Sequence, residues 1–214
     1  MNNIKVYPKM FMWMFVGLLL TFGVGYYISI NPNMVFNIFG RGAYLWFAIA
    51  EVIAVIFLSA RIRKMSYQSA VVGFIIYSIL SGITFSTIFL AFNMSSIIFI
   101  FFVTAVIFMI FSIIGSVTSV DLSKFKTLLF MMLIGIILAT IVNIFLNNTT
   151  FDLIISIIAI VVFIGYIAYD IQKVKNNVYG IDDDRKLAIM GALELYLDFI
   201  NLFIHLLQIF GDRN

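Results

Sequence analysis

Apolar residues run almost unbroken from Met10 to Ile30 and stop at Asn31, Pro32 and Asn33. Six further runs follow, at about 42–60, 70–92, 97–116, 125–146, 151–174 and 187–210, the first of them closed by Arg61, Arg63 and Lys64. Each is long enough for a helix to cross a bilayer, which takes about 20 residues. The breaks between them are short and polar. Asn93 to Ser96 reads as a tight hairpin, Asn147 to Thr150 as a turn, and a charged loop holding Asp182, Asp183, Asp184, Arg185 and Lys186 precedes the last run. Hydrocarbon offers no water to an unpaired backbone, so runs of this kind predict helices that satisfy their own hydrogen bonds. The expected fold is all-α, a polytopic membrane protein with seven transmembrane helices in a single domain over 1–214.

Composition removes the competing classes. The chain is 64% hydrophobic and 11% charged, whereas a soluble domain carries about 25% charged residues, so there is too little polar surface to face water. Seven spans of about 20 residues use roughly 140 positions, and no soluble domain is expected in what remains. The first run follows Lys5 and Lys9, exceeds the core of a signal peptide and lacks a small-residue cleavage pattern, so it is kept as a span. The absence of cysteine excludes disulfides, thiolate metal sites and cysteine nucleophiles, and the single His205 excludes a multi-histidine zinc site. No cofactor is expected. The net charge of +3 points to loops rather than to nucleic acid. The N-terminus and the connections between spans 2 and 3, 4 and 5, and 6 and 7 hold eleven of the 13 Lys and Arg, against Arg41 and Arg213 elsewhere. The positive-inside rule then places the N-terminus in the cytoplasm and the C-terminus outside. Asn147 and Asn148 match the Asn-x-Thr glycosylation pattern, but polar turn residues account for them.

The ionisable residues inside the spans carry the information, because each costs about 2.5–3.5 kcal/mol near a helix centre on insertion scales. They are Glu51, Asp170, Glu194 and Asp198. Such a residue marks an ion path or proton relay; the alternative is a buried carboxyl that fixes helix packing through a hydrogen bond. Glu194, Asp198, Asn201, His205 and Gln208 are spaced by four, three, four and three, so they line one face of span 7. A helix polar along one face belongs inside a bundle. For His205 alone, a cap on an interhelical hydrogen bond is the plainer reading. Gly17, Thr21 and Gly25 in span 1, and Ser78, Gly82 and Ser86 in span 3, recur at four-residue spacing and are read as helix packing. Span 6 ends in Tyr166, Tyr169, Asp170, Lys173 and Lys175, and span 2 descends to the same face with Arg61 and Arg63. An arginine beside Asp170 holds it ionised, whereas a second carboxyl resists ionising alongside it. Together these make a proton-sensitive latch.

Tyr166, Tyr169, Asp170 and Gln172, with the run Leu195, Tyr196, Leu197, Asp198, Phe199, Ile200, Asn201, Leu202, Phe203, resemble the sixth and seventh spans of the transmembrane Bax-inhibitor-motif family, in particular its bacterial members. Ser81, Gly82, Ile83 and Thr84 in span 3, Asp121, Leu122 and Ser123 after span 4, and Glu51 followed by Arg61 extend the resemblance over spans 2 to 7. The resemblance implies a seven-helix bundle with the C-terminal helix central, and a pH-sensitive calcium leak in a bacterial plasma membrane. It also implies that Asp170 and Asp198 share a hydrogen bond in the closed state, with Arg61, or else Arg63, near Asp170. The chain departs from the family after the span 3 motif, where Phe85, Ser86 and Thr87 stand in place of a frequent proline, and in the added polarity of Glu194 and His205.

Residues and resemblance converge on an ion path lined by Glu51, Glu194, Asn201 and His205, with calcium held transiently by Asp170, Asp198 and Glu51. Calcium prefers carboxylate oxygens, and a leak needs sites weak enough to release the ion. The expected partners are calcium ions, protons and the lipid bilayer. A cation/proton exchanger could use the same carboxylates. An intramembrane aspartyl protease also pairs two aspartates, but Asp198 sits between Leu197 and Phe199 rather than in a Gly-x-Gly-Asp motif. The chain is not read as an enzyme.

Overall fold

Seven long helices form where the apolar runs lie: α1 (Tyr7–Ser29), α2 (Ala43–Arg61), α3 (Tyr67–Ala91), α4 (Met94–Val117), α5 (Lys126–Leu146), α6 (Thr149–Lys175) and α7 (Asp184–Phe210). The computed structural model describes residues 3–214, so Met1 and Asn2 of the expected 1–214 domain lie outside the described residues. All seven helices are long and apolar enough to cross a membrane. Among the described residues the only β-type pairing is an isolated bridge between Phe92 and Arg213.

Helix ends fall two or three residues outside the apolar runs wherever a polar side chain caps the backbone. Ser66 Oγ accepts from Ser69 N at 3.2 Å, so α3 opens at Tyr67 rather than at Ala70. Asn148 Oδ1 accepts from Phe151 N at 2.9 Å, so α6 opens at Thr149. Such caps satisfy amide groups that the first helical turn leaves without partners. Asn147 closes α5 in the left-handed region, φ 47°, a conformation that asparagine tolerates. The two asparagines of the glycosylation pattern are therefore turn and cap residues. The hairpin expected at 93–96 shortens to Phe92 and Asn93, since α4 starts at Met94. The connection after α1 is helical, with an α-helical turn at Pro32–Val35 and a π-helical turn at Phe36–Gly40. Pro32 suits a first helical position, and Gly42, φ 71°, opens the next helix.

The helices form two compact units, one of residues up to 93 with 177–196 and 213–214, the other of residues 94–176 with 197–212. In the first, α1 packs along α3. A Cβ on Gly17 would stand 2.5 Å from the Phe74 ring, and one on Gly82 would stand 2.9 Å from the Thr21 carbonyl. The small residues thus bring two backbones together, as their spacing predicted. The α7 portion of this unit contributes Leu187, Leu193, Leu195 and Tyr196 to the core. Tyr196 lies edge-on to Phe74 and Tyr77. Its hydroxyl is 2.6 Å from Thr21 Oγ1. Because Thr21 spends its own proton on the Ser78 carbonyl, 2.9 Å away, Tyr196 is the donor between them.

In the second unit α6 packs against α4 and α5. A Cβ on Gly115 of α4 would stand 2.3 Å from the Ala168 carbonyl, and Gly165 of α6 admits Leu129 of α5. Phe199 and Phe203 of α7 pack against Phe101 of α4, with ring centroids 5.3 and 6.4 Å apart. Helix α7 is 78% buried across its apolar window, against 6–39% for the other six. Its N-terminal part contributes core to the first unit and its C-terminal part to the second. Large apolar side chains such as Trp46, Phe57, Phe99 and Phe145 lie exposed, as a surface solvated by lipid requires.

Candidate functional site

The last turns of α6 are held firmly in the second unit. Gln172 Oε1 accepts from Leu122 N, and its Nε2 donates to the Val120 carbonyl, both at 2.8 Å. Lys175 Nζ donates to the Ser116 carbonyl at 2.5 Å. Together with the close approach of Gly115 to Ala168, these bonds fix the segment that carries Tyr166, Tyr169 and Asp170.

On that segment the Asp170 carboxyl is hydrogen-bonded to the Asp198 side chain of α7. Both residues are buried, each 5% exposed. Two carboxylates this close repel when both are ionised, and a proton shared between them relieves that repulsion. Lys173 Nζ lies 3.0 Å from Asp170 Oδ1, one turn along α6. The same ammonium stands 5.1 Å from the centre of the Tyr169 ring, an attractive cation–π placement. Tyr166 lies within electrostatic reach of both aspartates. Two carboxyls and one ammonium, largely shut away from solvent, form a cluster whose net charge a single proton transfer would change.

Sequence reading named both aspartates, and both lie buried in the second unit. It did not name Lys173 as the cation at Asp170; the signal was the three-residue spacing of an acid and a base on one helix. The Arg61 guanidinium, in the first unit, lies 5.9 Å from the centre of the Phe57 ring. Arg63 Nη2, in the same unit, donates to the Tyr179 carbonyl at 3.1 Å.

The stripe on α7 divides into separate local networks. Glu194, in the first unit, accepts a hydrogen bond from the Tyr179 hydroxyl. Asn201, in the second, turns its amide onto its own helix, donating to the Leu197 carbonyl at 2.7 Å. Ser156 Oγ donates to Gln208 Oε1 at 2.7 Å, and His205 Nδ1 lies 3.2 Å from Ser156 Oγ and 3.0 Å from Gln208 Oε1. His205 also stacks on Phe163. With the serine proton spent on Gln208, His205 Nδ1 is the protonated nitrogen, so the histidine does join two helices by hydrogen bonding. Ser156 was missed because a lone serine in an apolar run resembles any small packing residue. Glu51, in the first unit, lies 2.5 Å from Thr84 Oγ1, whose single hydroxyl proton is shared between that carboxyl and the Ser81 carbonyl 2.9 Å away. Among the described residues no three His, Cys, Asp or Glu gather into a group that could cage a metal ion.

The sequence profile described as "Inhibitor of apoptosis-promoting Bax1" matches residues 4–214. The chain is 43% identical to the inner membrane protein YbhL of Escherichia coli K12 over 207 residues, covering 94% of this chain and 88% of that one. An uncharacterized protein of Borreliella burgdorferi is 36% identical over 214 residues, 98% of this chain and 92% of that one. An uncharacterized membrane protein of Streptococcus pyogenes serotype M1 is 39% identical over 174 residues, 80% and 75% of the two chains.

Proposed function

The chain belongs to the Bax1-inhibitor family, and from that membership together with the buried carboxyl pair we propose that it is a pH-sensitive calcium leak, gated by protonation of Asp170 and Asp198. The observation that carries this reading is the hydrogen bond between the two aspartates, beside Lys173 and away from water. A buried group that accepts a second proton changes the charge holding neighbouring helices together, and a two-state gate can respond to that change. Acidification neutralises the acid that Lys173 grips and so weakens the tie at the end of α6. Calcium flux then rises as pH falls from about 8 to about 6, with the pair acting as a coupled acid. In this reading the bilayer is a bacterial plasma membrane, with the N-terminus cytoplasmic and the C-terminus outside. A reporter fused after Asn214 that proves cytoplasmic overturns that orientation.

The test is calcium entry into sealed vesicles carrying the purified protein, measured across pH. Asp170→Asn and Asp198→Asn keep the side-chain shape and remove the titration, so flux in either variant should lose its pH dependence. A wild-type profile retained in both would place the sensor elsewhere. The same vesicles separate leak from cation/proton exchange. An opposing proton gradient drives exchange against the calcium gradient, whereas a leak carries calcium only down its own.

A further inference from the structure

Between α6 and α7 the chain passes through Asn176, Asn177, Val178, Tyr179, Gly180, Ile181, Asp182 and Asp183, with one aromatic side chain among them. That ring is turned inward. Tyr179 is 9% exposed, while Val178 beside it is 56% exposed. The loop is built to hold it so. Asn177, φ 46°, and Gly180, φ 62°, both adopt the left-handed conformation, which these two residue types enter at least cost. Asn177 closes the turn on itself: its Oδ1 accepts from Ile181 N at 3.0 Å, and its Nδ2 donates to the Ile181 carbonyl at 2.9 Å.

Two further contacts in the first unit pin the loop, and a third holds the arginine that makes one of them. Arg63 Nη2 donates to the Tyr179 carbonyl at 3.1 Å. Lys186 Nζ donates to the Arg63 carbonyl at 2.6 Å. The Tyr179 hydroxyl donates to Glu194 Oε2. The phenol thus ends on a carboxylate of the expected ion path. A carboxylate oxygen is what a hard divalent cation seeks, so the phenol proton and a passing cation compete for the same atom.

We infer that Tyr179 is a plug: the 176–183 loop seats its hydroxyl on Glu194, and a cation gains that carboxylate only when the loop lifts. The inference rests on the leak reading above and adds to it a second gate, at Glu194, operated by a loop rather than by the aspartate pair. A merely structural Tyr179 would tie the loop down without affecting ion passage, so the test must read both effects.

The full-length chain is placed in phosphatidylcholine/phosphatidylglycerol vesicles loaded with a calcium-sensitive dye, and calcium is added outside. Tyr179→Phe keeps the ring and removes the hydroxyl. Losing a hydrogen bond to a charged group should raise calcium entry about tenfold. In a Glu194→Gln background, Tyr179→Phe should add nothing, because the charged carboxylate that would attract the cation is gone. Hydrogen–deuterium exchange across 177–183 should quicken in Tyr179→Phe, and by less in Glu194→Gln, whose amide oxygen still accepts the phenol but without charge, reporting the seating of the loop independently of flux. Equal calcium entry in wild type and Tyr179→Phe, or the same increase in both backgrounds, overturns the plug. Unchanged exchange in both variants overturns it too, by removing the contact. A wild type that carries no calcium while exchange still quickens overturns the leak reading and the plug with it, leaving a loop tether.

Discussion

Lys173 Nζ stands 3.0 Å from Asp170 Oδ1, and the two side chains are 15% and 6% exposed. Burial raises what is at stake in this pair, because removing one partner leaves the other charge uncompensated in a medium of low dielectric. The ammonium favours the ionised acid and so opposes entry of the second proton. Lys173→Met therefore makes protonation of the aspartate pair easier. The calcium-flux profile of that variant should move toward higher pH by about one unit, while Lys173→Arg should keep it near the wild-type position. A profile unmoved by Lys173→Met would show that this cation does not set the occupancy of the shared proton.

The place of Asp170 depends on a glycine two helices away. A Cβ at Gly115 would meet the Ala168 carbonyl at 2.3 Å, a backbone atom that cannot turn aside, whereas Gly135 has nothing within 4 Å of the same construction. Gly115→Ala should therefore destabilise by about 1–3 kcal/mol through overpacking. Gly135→Ala should stabilise by about 0.5–1 kcal/mol by removing a helix-interior glycine. Thermal unfolding in one detergent measures both, and a Gly115→Ala protein as stable as wild type would mean that α4 and α6 separate freely here.

The seven helices were legible because each apolar run exceeds the bilayer thickness, and a hydrophobic run needs no partner to declare itself. The Asp170 and Asp198 pair was legible for the opposite reason, since an acid in an apolar run is costly wherever the fold places it. Partners were harder to read. Lys173, Tyr179, Ser156 and Thr84 are ordinary residues whose role comes from what tertiary packing sets beside them, and sequence distances as large as the 52 positions between Ser156 and Gln208 leave no local pattern. Helix starts were missed by a turn or less for a related reason. Capping residues are polar, and a hydropathy pattern counts them as loop.

The N-terminal end of α7 offers a pH effect whose sign can be fixed. Asp183 Oδ1 accepts from the Arg185 amide at 2.9 Å and from its guanidinium Nε at 3.3 Å. The Arg185 side chain and amide hold the Asp183 carboxyl below its ordinary value. A depressed carboxyl lends its support above the unfolded value of about 3.9, and that support is lost as pH falls through the lower folded value. The protection of the Arg185 and Lys186 amides, taken relative to the intrinsic exchange rate at each pH, should therefore be high at neutral pH and fall below about pH 4. Asp183→Asn, which can still accept from the amide but carries no charge, should flatten that dependence. Fraying at Arg185 that follows pH equally in the variant would assign the effect to another acid.

The polar face of α7 makes the sharpest demand on the ion-path reading. Asp198 is joined to Asp170, Asn201 is bonded to its own helix, and His205 is bonded to Ser156 and Gln208. None of these residues is spent on packing alone. Leu195 and Leu202, by contrast, are fully buried among apolar neighbours. The chain has no cysteine, so single cysteines can be placed without background. At pH about 6, where the shared-proton latch is expected to open, cysteines replacing Asp198, Asn201 and His205 should react with a membrane-impermeant thiol reagent, and those replacing Leu195 and Leu202 should not. Rates are taken relative to a free thiol at the same pH, because the thiolate is the reactive form; on that scale the Asn201 and His205 positions should slow at pH about 8, because they retain the native aspartate pair and its closed state. The Asp198 position should not slow, since its substitution removes the sensor itself. Equal reactivity on every face, or a pH response that survives at Asp198, would remove α7 from the ion path.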